Sequence, residues 1–181
     1  MSRLGALHLT KPTGPKHTAT VIFFHGSGDS GGNMKEWVQI MAKNFVFPHI
    51  KVMFPTAPLQ PYSPNGGTMS NVWFDRAGIS PDVPEKIDSL SEIEVEVKNL
   101  IQNEKQLGIP SNRIVIVPPL LQCHGDSDDL VYMQWGEATF KELRALGVQG
   151  QFHILQRLGH QINKRGMNLV KDFIEKLLPD V

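Results

Sequence analysis

Short apolar runs alternate with amphipathic helical stretches along this chain, and that alternation restricts it to an α/β architecture, a mainly parallel sheet with helices on both faces. TATVIFF at 18–24, IKVMFP at 50–55, RIVIV at 113–117, LLQCHG at 120–125 and QFHILQ at 151–156 read as strands. Each is rich in β-branched, aromatic or aliphatic residues and too short for a helix. Met34, Trp37, Val38, Met41 and Phe45 repeat at helical spacing behind Asn33, which can cap the helix they imply. The clearest helix is predicted over 85–107, with Ile87, Leu90, Ile93, Val97, Leu100 and Ile101 on one side and Gly108 placed to end it. Two more are expected, from about Tyr132 to Leu146 and at the C-terminal end, where Met167, Val170, Phe173, Ile174 and Leu177 form the stripe. Residues 55–85 hold Pro55, Pro58, Pro61, Pro64, Pro81, Pro84 and the pair Gly66–Gly67, too many breakers to predict regular structure.

Composition enters by exclusion. The 181 residues fit one domain, and 18 basic against 18 acidic side chains leave no net field to hold phosphate backbones or anionic lipid headgroups, so nucleic acid is not an expected partner. The first residues lack the apolar core of a signal peptide, and no stretch reaches the roughly 18 apolar residues of a membrane span. A single cysteine, Cys123, excludes an internal disulfide and suits a reducing compartment, so a cytoplasmic protein is expected.

In open α/β sheets, reactive groups collect on loops beyond the carboxyl ends of strands. Three such loops here, 25–33, 124–131 and 157–161, hold suggestive residues. Asp128 and His160 fall at consecutive strand ends, where a carboxylate can accept from an imidazole N–H, fix its tautomer and stabilise its charged form. Asp126, Asp128 and Asp129 near His124 lack the Gly and distal Glu of a calcium loop, and no metal is expected. Cys123, beside Leu120 and Leu121, reads as a small buried hydrophobe rather than a nucleophile. Gly28-Asp29-Ser30-Gly31-Gly32 fits G-x-S-x-G and the GDSGG of trypsin-like proteases, but those are antiparallel barrels. Ser30 also lies six residues beyond Phe24, whereas a nucleophile elbow follows its strand at once, so Ser30 is assigned to the loop.

VIFFHGSGDSGG, FPTAP, SNVWFD, QCHGDSDDLV and the closing DFIEKLLP, in order from about residue 18 to the end, resemble the acyl-protein thioesterases and their lysophospholipase-like relatives. The resemblance implies an α/β-hydrolase-like fold and hydrolysis of S-acyl thioesters or short carboxylic esters through an acyl-serine, with no cofactor. It implies Asp128 as the triad acid, His160 as the base, Ser27 as an oxyanion-hole N–H, and Trp73 and Phe74 as lining or supporting an acyl-binding surface. Acylated proteins or small esters are the implied substrates, and oligomeric state is left open.

The family's nucleophile sits in a G-F-S-x-G-G elbow directly after the strand that here reads RIVIV. Here RIVIV runs through Pro118–Pro119 straight into LLQCHG, so the chain is internally truncated and His160 has no designated hydroxyl to deprotonate. A catalytically deficient chain is therefore expected; the alternatives are a pseudoenzyme that binds acyl chains or a partner, and a hydrolase using another nucleophile. Within the single domain we expect an N-terminal unit, 18–117, and a C-terminal unit, 120–178, with the scar near 117–119. Parallel neighbours need a crossover of about a dozen residues or more, so RIVIV and LLQCHG either merge into one bent strand or one is displaced.

Overall fold

The computed structural model describes residues 2–117, 121–148 and 150–180. The two prolines at the scar and Leu120 lie outside the described residues, and with them the expectation of a strand bent across the prolines.

Contacts divide the chain into two compact units, one of Met1–Trp37, Val46–Val117 and Asp180–Val181, the other of Val38–Phe45 and Pro118–Pro179. The first unit is built on a four-stranded sheet of order β1-β3-β2-β6, in which β1 is Leu7–Thr10, β2 is Ala19–Phe23, β3 is Ile50–Pro55 and β6 is Ile114–Val117. β3 and β6 both run parallel to β2, and β1 lies antiparallel on the outer side of β3. All five residues of β2 are buried, as a central parallel strand covered on both sides requires. The pairing Val21↔Val52 and Val21↔Val115 sets the register on either side of it.

Helix α1, Gly31–Met41, begins two residues before Asn33. Its cap is Ser30, whose Oγ accepts the Asn33 N–H at 3.2 Å and whose carbonyl accepts the Met34 N–H at 3.0 Å. Gly31 is required here, because a Cβ would lie 2.1 Å from the carbonyl oxygen of Phe54 in β3.

The proline-rich stretch is more ordered than its composition suggests. Leu59–Tyr62 (β4) and Thr68–Asn71 (β5) pair antiparallel as a hairpin, closed by a 3-10 turn and by Gly66 and Gly67 at φ 60° and 78°. Helix α2, Ile87–Gln106, packs Leu100 against Ile22 and Met53. Its buried line is Glu96, Leu100 and Glu104, while Ile87, at the first turn, is exposed. The two carboxylates tolerate burial because each is bonded. Glu96 accepts from Ser2 Oγ and Arg3 N at 2.8 Å, and Glu104 from Thr20 Oγ1 and Lys51 Nζ at 2.6 Å.

The second unit carries a separate two-stranded parallel sheet, β7 (Leu121–Gly125) with β8 (Gln151–Leu155). Helices α3 (Met133–Ala145) and α4 (Lys164–Leu177) both pack on β7. Asn163 caps α4 through a 3.0 Å bond from the Gly166 N–H. Leu121, Leu155, Met167, Val170 and Ile174 are among the buried apolar residues of this unit. RIVIV and LLQCHG thus enter different sheets, β6 beside β2 and β7 beside β8. Among the described residues, no helix is long and apolar enough to cross a membrane.

Candidate active site

In the second unit, β7 ends at Gly125, and the loop that follows is laced to the loop after β8. The Asp126 N–H donates to the Leu155 carbonyl at 3.2 Å, and the Ser127 N–H to that of Leu158 at 3.0 Å. The approach is so close that a Cβ on Gly125 would stand 2.0 Å from the Leu158 oxygen and 2.6 Å from that of Gly159. Asp126 Oδ1 accepts the Arg157 N–H at 2.7 Å, holding Arg157 in the left-handed region at φ 55°. These bonds carry His160 to the foot of the β7 loop.

There His160 Nδ1 donates to Asp128 Oδ2 at 2.9 Å. Asp128 is buried, and its other oxygen, Oδ1, accepts the backbone N–H groups of Leu130 at 3.1 Å and Val131 at 2.9 Å. Burial on its own would raise the Asp128 pKa, but the bonds from Val131, His160 and Leu130 and the nearby imidazole together hold it below the ordinary carboxylate value. The carboxylate is therefore ionised at neutral pH and fixes the imidazole with its proton on Nδ1. His124 completes the arrangement. Its Nε2–H donates to the Val131 carbonyl at 2.7 Å and lies 3.3 Å from Asp128 Oδ2, so it closes the 124–131 loop behind the carboxylate.

The His160 side chain is 52% exposed against 6% for Asp128. An open cleft of about 310 Å³ lies over the pair, lined by Cys123, His124, Val131, Gln161 and Ile162 among others. Burial pushes the Cys123 thiol up to about 11, so at neutral pH it is a protonated thiol and a poor nucleophile.

In the first unit, β2 leads into a turn in which the Asp29 N–H donates to the Gly26 carbonyl at 3.2 Å, with Gly28 at φ 83°. Ser27, exposed at the crest of the turn, donates no backbone hydrogen bond among the described residues. The turn is fixed from below. The His25 Nδ1–H donates to Gly26 O at 2.7 Å, its Nε2 accepts the Ala57 N–H at 3.0 Å, and the Gly28 N–H donates to Asn71 O at 2.9 Å.

Trp73 belongs to this support. Its indole N–H donates to the His25 carbonyl at 2.8 Å, and its ring packs edge-on to Phe24 at 4.6 Å. Phe74 instead lies under the Arg76 guanidinium, 4.6 Å from the ring centroid. The structure brings Asp128 and His160 together in one unit, and Ser27 and Trp73 around one turn of the other. Three residues that hold these groups were not predicted to do so: Asp126 and His124 were weighed only as metal ligands, and His25 only as a strand-end residue. The available signal was a histidine or aspartate at or just beyond a strand end: His25 shortly after β2, His124 near the end of β7 and Asp126 directly after it. Among the described residues, no group of three His, Cys, Asp or Glu side chains is gathered as a metal site would need.

Comparison with known proteins identifies the family and the fold. The phospholipase/carboxylesterase family model matches in two segments, residues 8–118 and 117–178, which together span most of the chain. Lysophospholipase-like protein 1 of Mus musculus is 34% identical over 226 residues, covering 96% of this chain and 94% of the relative. Acyl-protein thioesterase 1 homolog 1 of Dictyostelium discoideum is 31% identical, covering 90% and 92%. The crystal structure of Zea mays acyl-protein thioesterase 2 superposes with a TM-score of 0.80 at 25% identity, covering 96% of this chain and 99% of that one. The alignment of 226 residues with the mouse protein exceeds the 181 residues present, so that relative carries a segment with no counterpart here. On this match, two family segments meeting at Val117–Pro118, the chain belongs to the phospholipase/carboxylesterase family of α/β-hydrolases, with the acyl-protein thioesterases and lysophospholipase-like proteins among its relatives.

Proposed function

We propose that this chain keeps the acid–base pair and the oxyanion turn of a carboxylic ester and thioester hydrolase but lacks its nucleophile, and so forms no acyl-serine. One observation carries the reading: β6 ends at Val117 and the family match restarts at that residue, where the nucleophile elbow would follow. In the proposed roles Asp128 orients His160, His160 is the base, the Ser27 N–H is an oxyanion donor, and Trp73 with Phe74 supports an acyl-binding surface. Trp73 supports it by bracing the turn through His25. Ser30 is an unsuitable substitute nucleophile, because its hydroxyl caps α1. Acylated proteins and short esters are the proposed ligand class. The reducing cytosol is the proposed compartment, supported by the lone Cys123.

A fluorophosphonate probe followed by intact mass and peptide mapping tests the reading. No serine adduct is expected. An adduct on one serine, abolished by both Asp128→Asn and His160→Ala, would overturn it.

A further inference from the structure

His160 has one nitrogen committed and one free. Nδ1 is bonded to Asp128 Oδ2 at 2.9 Å, while Nε2 has no partner among the described residues and belongs to a side chain 52% exposed beside an open cleft of about 310 Å³. In a complete serine hydrolase that lone pair faces a hydroxyl. With no hydroxyl assigned to it, it is a carboxylate-oriented imidazole lone pair open to a carbonyl carbon.

We propose that His160 itself acts as a nucleophile toward activated carboxylic esters, those whose leaving group is an aryloxide, so that the chain is a serine-independent arylesterase. This goes beyond the absence of an acyl-serine, because it states what the remaining pair does. The Nε2 lone pair forms a bond to the ester carbonyl carbon, and the tetrahedral adduct collapses by breaking the carbon–oxygen bond, whose electron pair leaves with the aryloxide. The ring is then an N-acylimidazolium that retains its Nδ1–H, and its positive charge lies against the ionised Asp128. Water adds to the acyl carbon, the carbon–nitrogen bond breaks with its pair returning to Nε2, and one carboxylic acid is released. The proton surrendered by water accounts for protonation of the aryloxide, so the sum is ester plus water giving acid plus phenol.

Substrate class follows from the first collapse. An electron-poor aryloxide such as p-nitrophenoxide competes with neutral imidazole as the group expelled from the adduct, and the reaction goes forward. An alkoxide is far worse, so the adduct from an alkyl ester expels the imidazole and reverts. Asp128 contributes by keeping the proton on Nδ1 and by stabilising the acylimidazolium, which an unoriented imidazole in water lacks.

The test is hydrolysis of p-nitrophenyl acetate by the full chain, with ethyl acetate as the alkyl control, quenched samples mapped by mass spectrometry, and folding of each variant checked by circular dichroism. The expected result is aryl ester turnover with a hydroxylamine-labile acetyl group on His160. Loss of that turnover in His160→Gln, a fall of about tenfold or more in Asp128→Asn, and no alkyl ester turnover are expected with it. Peptide mapping of the unaltered chain needs no variant, so the proposal stays testable if a variant does not fold. Turnover by His160→Gln equal to that of the parent, or acetyl groups confined to lysines, would overturn the proposal and leave the absence of an acyl-serine standing. Turnover accompanied by a fluorophosphonate adduct on a serine would overturn both.

Discussion

Asp128 is the centre of the hydrogen-bond network in the second unit, and its surroundings set a pH dependence. Two backbone N–H groups hold Oδ1, while Oδ2 accepts from His160 and faces His124. The folded carboxyl titrates below its unfolded value despite burial, because those bonds favour the charged form. Its stabilising effect is therefore full above the ordinary carboxylate pKa and is lost as pH falls through the lower folded one. Asp128→Asn is expected to cost about 1–3 kcal/mol at neutral pH, with the gap from the parent closing as the solution is acidified through that range. His160→Ala removes one of the lowering contributions, so the Asp128 carboxyl should titrate at higher pH in that variant. Carbon-detected NMR of the carboxyl reads this directly, and an unshifted titration would contradict the bond as described.

Among elements, α2 shows how far a hydrophobic pattern reaches. The stripe Ile87, Leu90, Ile93, Val97, Leu100 and Ile101 located the helix, because 3.6-residue periodicity over about four turns is hard to mistake. It did not reveal that Glu96 and Glu104 flank Leu100 on the buried line. A carboxylate on a helix reads as solvated, and its partners Ser2, Arg3, Thr20 and Lys51 are distant in sequence. Thr20 donates to Glu104 and accepts from His17 Nε2 at 2.9 Å, so α2, β2 and β3 are joined by one chain of bonds. Burial first, and then the Lys51 charge, lower the His17 pKa, and Glu104 opposes them. Glu104→Gln leaves the Lys51 ammonium, 13% exposed, without its counterion and should destabilise the first unit by about 3–5 kcal/mol. It should also move the His17 pKa further down. Urea unfolding and histidine NMR measure the two effects, and an unchanged unfolding midpoint would contradict this role for Glu104.

The β4–β5 hairpin was missed for a different reason. Pro61 pairs with Met69 in a two-stranded ladder, a setting that tolerates proline, so the breakers in 55–85 outweighed the Asn65-Gly66-Gly67 turn that marks a hairpin. β1, LHLT, is only four residues long and offered no period to read. At the site, Asp128 and His160 were legible because strand ends are where an α/β sheet presents its groups. The bonds that His25, His124 and Trp73 make to backbone carbonyls were not legible, because a strand-end histidine or a tryptophan in the sequence does not say which carbonyl it will meet.

At the scale of the whole chain, the determining feature is an interruption. β6 ends at Val117 within the first sheet, β7 begins at Leu121 beside β8 in another, and the family match breaks between them. In the proposed function the nucleophile segment is what this chain lacks, while Asp128, His160 and the Ser27 turn keep the roles proposed for them. Grafting the segment of the mouse relative that has no counterpart here between Val117 and Pro118, and then measuring fluorophosphonate labelling, tests that claim most directly. The parent chain is expected to stay unlabelled and the grafted chain to gain one serine adduct that is lost again with His160→Ala. Labelling of the parent, or a folded graft that stays unlabelled, would contradict it.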